Sequence, residues 1–256
     1  MFRDYFKLIK FRYHLTFISV IVGALIFSPK ITYSLIPALL LVYFSFNILM
    51  YSGLYTMNDI ADCKSDALHP KKKFRAIPSG RVCLPHAWTF VVLTVLAGLL
   101  IAFFAFRQIF YIYIIFIALN IFYTFIGKKI PYLEFISNSL THPLRFLMGI
   151  VLVSSAIPLN PILAYFFVAI GTSISRRIVE LDYKGFEARK ALVYYTKKSL
   201  TIMQILAFII ILILFIIELP NNQLIHYLLI SYYILLVFII GHCKKSRPIL
   251  NKIWLN

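Results

Sequence analysis

Long apolar runs separated by short polar segments recur along the whole chain of 256 residues. Runs of about 18 to 22 apolar residues are long enough to cross the hydrocarbon core of a bilayer as helices. The pattern predicts eight spans, at about 14–28, 34–57, 87–106, 109–126, 135–153, 161–178, 200–218 and 223–242. We therefore expect an all-α, polytopic transmembrane bundle. Residues 1–256 would form one domain, because the spans leave no stretch for a separate soluble one.

The distribution of basic residues gives this bundle an orientation. The chain has 26 Lys and Arg against nine Asp and Glu, for a net charge of +17. Across the alternating segments, 23 basic residues fall on one side, two (Lys30 and Arg107) on the other, and Arg145 lies within span five. This asymmetry follows the positive-inside rule and argues against a nucleic-acid partner. It places both termini, and the loops after spans two and six, on the cytoplasmic side of a bacterial-type inner membrane.

The few acidic residues are concentrated in those two loops. They are Asp59, Asp62 and Asp66 after span two, and Glu180, Asp182 and Glu187 after span six. If span two continues as a helix, Asn58, Asp62 and Asp66 lie on one stripe. Asp59 then falls beside Asp66, and the four oxygen-bearing side chains share an arc of about 100°. Clustered carboxylates repel one another unless they share a cation, and hard oxygen ligands suit Mg²⁺. A solvated loop of mixed ion pairs is the alternative.

Basic residues follow the first acidic group at once. They are Lys71, Lys72, Lys73, Arg75 and Arg81. Binding to anionic lipid heads would explain their number. It would not explain their position beside the carboxylates, which suits a diphosphate shared between a metal ion and cationic side chains. In the second group Glu180 lies within a helical turn of Arg176 and Arg177, and a plain surface loop is the alternative there.

Span five carries a polar face. Its members, at helical spacing, are Asn138, Thr141, His142 and Arg145. A charged residue inside a span normally faces a cavity or a partner, so we expect Arg145 to hold a substrate phosphate. A structural pairing with a carboxylate is the alternative. Asn47, Tyr51 and Tyr55 form a second polar stripe in span two, which hydrogen bonding between helices would explain equally well.

The aspartate segment resembles the first motif of the UbiA superfamily of membrane prenyltransferases, NDxxDxxxD. The residues that match it are Asn58, Asp59, Asp62 and Asp66. The resemblance implies nine helices, cytoplasmic active-site loops after spans two and six, and a lipid-facing cavity. Since only eight spans are predicted here, we expect a partner or a lateral opening to complete the bundle.

The continuation HPKKKFRAIPSGRV is similar to the HPxKRxRPIAxG run of the branch that includes decaprenyl-phosphate phosphoribosyltransferase. This aligns Lys72, Lys73 and Arg75 with basic residues of that branch. In that branch the second cytoplasmic loop tends toward KRxxEL followed by an R…L..Y pattern. The corresponding residues here are Arg176, Arg177, Glu180, Leu181, Arg189, Leu192 and Tyr195. Two departures stand out: RAIP replaces RPIA, and Glu180 and Asp182 stand where aromatic prenyltransferases carry DxxxD.

The residues and the resemblance together predict a Mg²⁺-dependent membrane transferase. We expect it to move 5-phosphoribosyl from soluble phosphoribosyl diphosphate to a polyprenyl phosphate, whose ionised oxygen needs no general base. The predicted metal and catalytic residues are Asn58, Asp59, Asp62 and Asp66. The predicted substrate-binding residues are Lys72, Lys73, Arg75, Arg145, Arg177, Glu180, Asp182, Arg189 and Tyr195.

Two other functions stay open at this point. The first is a prenyltransferase that moves an isoprenyl chain from its diphosphate to an aromatic or lipid acceptor. It would use the same first motif and a second metal site at Glu180, Asp182 and Glu187. The second is a non-catalytic membrane subunit that keeps the fold. The expected partners are an isoprenoid lipid, a soluble phosphorylated donor and membrane lipids, and the sequence predicts no oligomeric state.

Overall fold

A computed structural model of the protein describes residues 2–30, 32–69, 71–182, 190–218, 223–240 and 242–243. Within these ranges the regular structure is helical and contains no strand. The α-helices are α1 Phe2–Phe6, α2 Ile18–Phe27, α3 Leu35–Val42, α4 Ser52–Ala61, α5 Cys63–Leu68, α6 Leu84–Ala105, α7 Arg107–Phe125, α8 Leu133–Ser139, α9 Thr141–Val153, α10 Leu159–Asp182, α11 Lys197–Glu218 and α12 Gln223–Tyr232. Short 3₁₀ segments occupy Lys7–Ile9, Phe11–Phe17, Lys72–Phe74, Gly127–Lys129 and Lys190–Tyr194, and π-helices occupy Tyr43–Tyr51 and Tyr233–Ile240.

Seven helical stretches in the described residues are long and apolar enough to cross a membrane. They are Asp4–Phe27, Leu35–Ala61, Leu84–Ala105, Arg107–Lys129, Leu133–Val153, Leu159–Leu181 and Lys197–Glu218. The eighth predicted span coincides with a shorter apolar helix, Leu224–Ile239. The predicted fold class, an all-α membrane bundle, is confirmed.

The chain divides into two compact units, one of Met1–Phe125 with Leu144–Ile157 and one of Ile126–Pro143 with Pro158–Asn256. The first unit has a core of large side chains that are fully buried, among them Phe46, Tyr113 and Phe116. Helices α2 and α9 meet backbone to backbone in this unit. A Cβ on Gly149 would overlap the carbonyl oxygen of Val20. Small residues at such a crossing let membrane helices approach closely and gain dispersion contact.

The π-helix Tyr43–Tyr51 lies between α3 and α4, so span two is continuous but not α-helical throughout. Its backbone reaches α6 at another small residue, because a Cβ on Gly98 would stand 2.6 Å from the carbonyl oxygen of Ser45. The hydroxyl of Ser45, in this π-helix, also lies 2.8 Å from the hydroxyl of Tyr113, on α7. Span two therefore contacts both α6 and α7 at Ser45, upstream of the aspartate segment.

The second unit is held by an apolar cluster and by a buried polar network. Phe135, Ile174 and Leu200 belong to the apolar cluster. In the network the side-chain amide of Gln204, on α11, donates to the carbonyl oxygen of Gly171 at 3.2 Å. The Tyr233 hydroxyl donates in turn to the carbonyl oxygen of Gln204 at 2.7 Å. These bonds satisfy polar groups that would be costly inside the bilayer.

Candidate active site

The aspartate segment continues span two through one break. The Asp62 amide donates to the Asn58 carbonyl at 3.0 Å and the Asp66 amide to the Asp62 carbonyl at 2.8 Å, so helical bonding runs across the end of α4 into α5. Asp62 itself has φ −91° and ψ −1°. The chain thus keeps nearly helical spacing while it turns at Asp62. Asp59 and Asp66 are both buried, each with 4% of its surface exposed.

Arg75 joins these two buried aspartates. Its Nη1 donates to Oδ1 of Asp59 at 3.1 Å and to Oδ2 of Asp66 at 2.8 Å. Lys72 adds an ion pair to Asp66 at 3.4 Å, and Lys10 adds one to Asp59. Two carboxylates and three cations therefore meet in one place. The adjacency of Asp59 to Asp66 is as the helical spacing predicts, and Arg75 lies beside both acids and Lys72 beside Asp66, as their position in the sequence suggests.

Asn58 and Asp62 form a separate pair, with the Asn58 amide 3.2 Å from Oδ2 of Asp62. Within the described ranges, no three His, Cys, Asp or Glu side chains are grouped so as to hold a metal ion. The single four-residue oxygen arc expected from the sequence is thus corrected to two pairs. The turn at Asp62 and the guanidinium of Arg75 account for the separation.

The donor set still fits Mg²⁺. Proteins commonly hold this ion with one or two carboxylates, while waters and substrate phosphates complete the shell. Asp59 and Asp66 are held together by one nitrogen of Arg75, and the second oxygen of each carboxylate faces a lysine that a metal ion could replace. These two residues would hold the ion, and Asn58 and Asp62 lie one residue and one turn away along the same helix.

A turn built on His69 presents the basic residues. Nδ1 of His69 accepts the backbone N–H groups of Lys71 and Lys72, each at 3.2 Å. Burial, and then the charge of Lys72, lower the pKa of His69, which keeps the ring neutral and able to accept. Lys73, by contrast, is exposed and lies over the Phe74 ring, with its Nζ 5.2 Å from the ring centre.

The rest of this loop is anchored by apolar side chains. Ala76 and Ile77, from the RAIP sequence, are buried together with Leu8 and Val82. Arg81 donates to the carbonyl oxygen of Phe74 at 2.6 Å and closes the loop. The departure from the RPIA pattern therefore lies at a buried anchor of the loop.

Lys10 is a member of the site that sequence reasoning missed, since it was counted only as one of many cytoplasmic cations. It separates two 3₁₀ segments and adopts a left-handed conformation, with φ 56° and ψ 45°. That conformation costs a residue with a Cβ roughly 1–2 kcal/mol. No local sequence pattern indicates it, because the ion pair with Asp59 joins residues 49 positions apart in the chain.

The second predicted loop begins in a buried ion-pair network in the other unit. Arg177, on α10, donates from Nε and Nη2 to the two carboxylate oxygens of Glu134 at 2.9 and 2.7 Å. Its Nη1 donates to Glu180 at 2.6 Å. The Tyr195 hydroxyl donates to Glu134 at 2.9 Å and accepts from the Tyr132 amide at 3.0 Å. The Arg177 nitrogens are thus committed to carboxylates of the chain itself.

Glu134 is a second residue that the sequence did not single out, although it is 2% exposed and central to this network. An acidic residue at the start of an otherwise apolar span was the available signal. Asp182 is the last residue of α10, and its side chain lies outside what the structure describes, as do Lys184, Glu187 and Arg189. Their predicted roles stay predictions.

Arg145 lies inside the first unit and is 2% exposed. Its Cζ is 4.7 Å from the ring centre of Tyr51, 4.8 Å from that of Phe116 and 5.8 Å from that of Phe46. Tyr51 in turn donates to the Tyr55 hydroxyl at 2.9 Å. Aromatic faces stabilise a desolvated guanidinium through cation–π attraction. The structure thus places Arg145 against Tyr51, and its predicted phosphate-binding role stays a prediction.

The other members of the span-five polar face bond within the second unit. The side-chain amide of Asn138 donates to the Ser173 hydroxyl, on α10, at 3.1 Å. Thr141 donates to the carbonyl oxygen of Asn138 at 2.8 Å. The His142 ring centre is 6.4 Å from that of Tyr165. Hydrogen bonding between helices thus explains the polarity of Asn138, while the Thr141 bond stays within the span.

Comparison with known proteins identifies the fold and the protein family. The model of the UbiA prenyltransferase family matches residues 16–249. The chain belongs to the UbiA prenyltransferase family. The resemblance first seen in the aspartate motif is confirmed, and membership supports a transferase. With its apolar helices, this UbiA-family protein is an integral, multi-pass membrane protein.

Solved structures share the UbiA fold over nearly the whole chain. A UbiA homologue from Archaeoglobus fulgidus, bound to GPP and Mg²⁺, matches with a TM-score of 0.78 at 18% identity and covers 98% of this chain and 95% of that one. The same homologue bound to Cd²⁺ matches with a TM-score of 0.72 at 19% identity, over 98% and 94%. A digeranylgeranylglyceryl phosphate synthase matches with a TM-score of 0.71 at 23% identity, over 99% and 93%. At these identities the likeness shows the fold.

A curated relative, an uncharacterized protein of Sinorhizobium fredii, is 29% identical over 134 residues, which are 52% of this UbiA-family chain. The match spans about a quarter of that protein's length, 26%. It therefore assigns no activity, substrate or partner.

Proposed function

We propose that the protein transfers a 5-phosphoribosyl group from phosphoribosyl diphosphate to a polyprenyl phosphate at the cytoplasmic face of a bacterial-type inner membrane. The observation that carries the proposal is the meeting of Asp59 and Asp66 on one nitrogen of Arg75. Lys72 and Lys10 surround the same carboxylates. A site with two acids and three cations suits a metal-bound diphosphate donor and a second anionic substrate.

The bonding changes require little proton transfer. The bond from ribose C1 to the diphosphate oxygen breaks, a bond from C1 to an oxygen of the lipid phosphate forms, and diphosphate leaves. Mg²⁺ held by Asp59 and Asp66 would supply charge stabilisation for the departing diphosphate. Lys72 and Arg75 would bind phosphate oxygens. The nucleophile is already ionised, so no general base is needed.

The remaining predicted residues receive proposed roles within each unit. Arg145, desolvated among aromatic rings, would attract a phosphate of the lipid substrate. Glu180 and Asp182, with Arg189, would order the ribose or a second metal ion. Arg177 and Tyr195 would act indirectly, because their polar groups bond Glu134 and fix the start and end of the second loop. Lys73, over Phe74 at the surface, would attract the anionic donor at long range.

A prenyltransferase is the second candidate, and a specific finding favours it. The Archaeoglobus homologue that shares this fold was solved with GPP and Mg²⁺ and with DMAPP and Mg²⁺. The same first loop would then bind a prenyl diphosphate, and the acceptor would be an aromatic or lipid molecule. A non-catalytic membrane subunit is the third candidate, and it requires that loss of Asp66 leave every activity unchanged.

The test uses purified protein in lipid nanodiscs with Mg²⁺. One reaction contains labelled phosphoribosyl diphosphate and a polyprenyl phosphate, and a parallel reaction contains a labelled prenyl diphosphate and hydroxybenzoate. We expect label to enter an organic-extractable phosphoribosyl lipid. A prenylated aromatic would overturn the proposal in favour of the second candidate. Failure of both reactions, with the protein folded, would contradict it as well.

A second test compares an aspartate of the proposed site with an aspartate outside it. Asp66→Asn should lower turnover by about 100-fold or more, since it removes a proposed ligand of the metal ion. Asp4→Asn is the matched control. Asp4 also forms ion pairs, but with other cations, Lys7 at 3.3 Å and Arg81 at 3.1 Å. It should retain the activity of the unaltered protein. Equal activity in both variants would contradict the assignment.

A further inference from the structure

The backbone at Lys10 is held in an uncommon conformation. Among the described residues other than glycine, positive φ values occur at Lys10 and Tyr132. A lysine gains nothing locally from the left-handed region, which favours glycine and, less strongly, asparagine. Such a conformation persists where surrounding structure enforces it, and it directs attention to what the side chain reaches.

Two buried side chains, Ser52 and His14, and the half-buried Tyr43 hold this turn. The carbonyl oxygen of Ile9 accepts from the Ser52 hydroxyl at 3.1 Å and lies 3.0 Å from Nε2 of His14. Nδ1 of His14 is 2.8 Å from the Tyr43 hydroxyl. Ser52 and His14 are 1% and 8% exposed. The residue before Lys10 is therefore fixed to span two from two directions.

Because the turn is fixed, the Lys10 ammonium lies beside the carboxylate of Asp59. Nζ pairs with Oδ2 of Asp59, and the Lys10 side chain is 17% exposed. The other oxygen of the same carboxylate, Oδ1, is taken by Arg75. Each oxygen of Asp59 thus faces its own cation. A divalent ion that binds Asp59 has to replace one of them.

Of these two cations, Lys10 is the one that can yield. Arg75 bridges Asp59 and Asp66 with one nitrogen, so its departure would expose two buried carboxylates to each other. Lys10 contacts one oxygen through a flexible four-carbon stem, and an ammonium is a strongly hydrated point charge. Its side chain can swing toward water while the turn stays in place.

We infer that Lys10 is an internal counter-ion of Asp59 that competes with a divalent cation for that carboxylate and so sets the metal affinity of the site. The inference rests on the proposed function only in placing a divalent ion at Asp59. It gives the N-terminal segment a role in the site beyond membrane topology. It also predicts that metal binding releases the Lys10 amine.

Metal affinity is measured without substrate, on purified protein in uncharged nanodiscs, by the electron paramagnetic resonance signal of free Mn²⁺ and its competition by Mg²⁺. Lys10→Asn removes the charge but keeps a residue that tolerates the left-handed turn. We expect it to bind Mn²⁺ about ten-fold more tightly, and Lys10→Arg to bind nearly as the unaltered protein does. Lys7→Asn is the matched control, because Lys7 lies in the same segment, is 54% exposed and pairs with Asp4.

A second measurement needs no variant. Amine acetylation, followed by mass spectrometry of the Lys10 and Lys7 peptides, should show faster modification of Lys10 when Mg²⁺ is added and an unchanged rate at Lys7. An unchanged Lys10 rate under conditions where Mn²⁺ binds would overturn the inference, as would an unchanged Mn²⁺ affinity in Lys10→Asn. Complete lack of Mn²⁺ binding by the unaltered protein would instead overturn the metal assignment in the proposed function. The two failures are therefore distinguishable.

Discussion

Replacing Arg177 by methionine tests the buried ion-pair network of the second unit. The Arg177 side chain is 7% exposed and makes paired hydrogen bonds, at 2.7 and 2.9 Å, to Glu134, which is 2% exposed. Arg177→Met leaves the Glu134 carboxylate buried without its guanidinium. Breaking a buried pair in this way costs about 3–5 kcal/mol. Arg176→Met is the matched control on the same helix.

The control differs in burial and geometry. The Arg176 side chain is 46% exposed, and its Nε is 3.6 Å from Glu180. Such a pair contributes about 0–1 kcal/mol. In a chain of this size 1 kcal/mol shifts the unfolding midpoint by about 2–4 °C. We therefore expect a fall of about 6–20 °C for Arg177→Met and of less than about 4 °C for Arg176→Met, measured by thermal unfolding in detergent.

A double variant identifies the cause. Glu134→Leu combined with Arg177→Met removes both buried charges, and it should regain at least half of the stability lost in Arg177→Met. Equal midpoints for Arg177→Met and Arg176→Met would refute the argument from burial. A double variant less stable than Arg177→Met would refute the argument from the stranded charge.

The remaining predictions concern helix packing, alkaline pH and the buried arginine. Gly149→Ala places a Cβ against the carbonyl oxygen of Val20, so it should lower the unfolding midpoint by several degrees, and an unchanged midpoint would contradict the close helix contact. Burial raises the pKa of Tyr195 to about 12, so the stability it contributes is complete below pH about 10 and is lost as pH rises toward 12. In Tyr195→Phe the free energy of unfolding should therefore fall less between pH 10 and 12 than in the unaltered protein. In Tyr194→Phe, which changes an exposed neighbour, it should fall as much as in the unaltered protein. Arg145→Met should raise the KM for the lipid phosphate about ten-fold or more in protein that still unfolds cooperatively, and an unchanged KM would contradict the proposed phosphate role.

Hydrophobic patterning predicted the membrane helices well because each apolar run is bounded by charge or by proline. The predicted span 87–106, for example, corresponds to α6 Leu84–Ala105. Helical spacing likewise placed Asp59 beside Asp66. The turn at Asp62 was not predicted, since no glycine or proline marks it, and the bond from Arg75 to both buried aspartates joins residues that are 9 and 16 positions apart. The sequence therefore indicated one oxygen cluster where the structure has two pairs.

Lys10 and Glu134 show a different limit of sequence reasoning. Each forms its decisive contact with a residue more than 40 positions away in the chain, Lys10 with Asp59 and Glu134 with Arg177. The spacing of residues within one helix or loop cannot predict contacts between residues so far apart in the chain. Lys10 was further hidden because basic residues on the cytoplasmic side already have a sufficient explanation in topology.

The π-helical stretch Tyr43–Tyr51 governs which way the end of span two faces. A π-helix bonds each residue to the one five positions along, so this stretch holds more residues per turn than the α-helix on either side. Deleting a single residue from it would rotate everything downstream by about 100°. Asp59 would then turn away from Arg75 although no side chain at the site had changed. The direction in which the aspartates face is thus decided upstream, in a stretch of the chain that carries no charged residue.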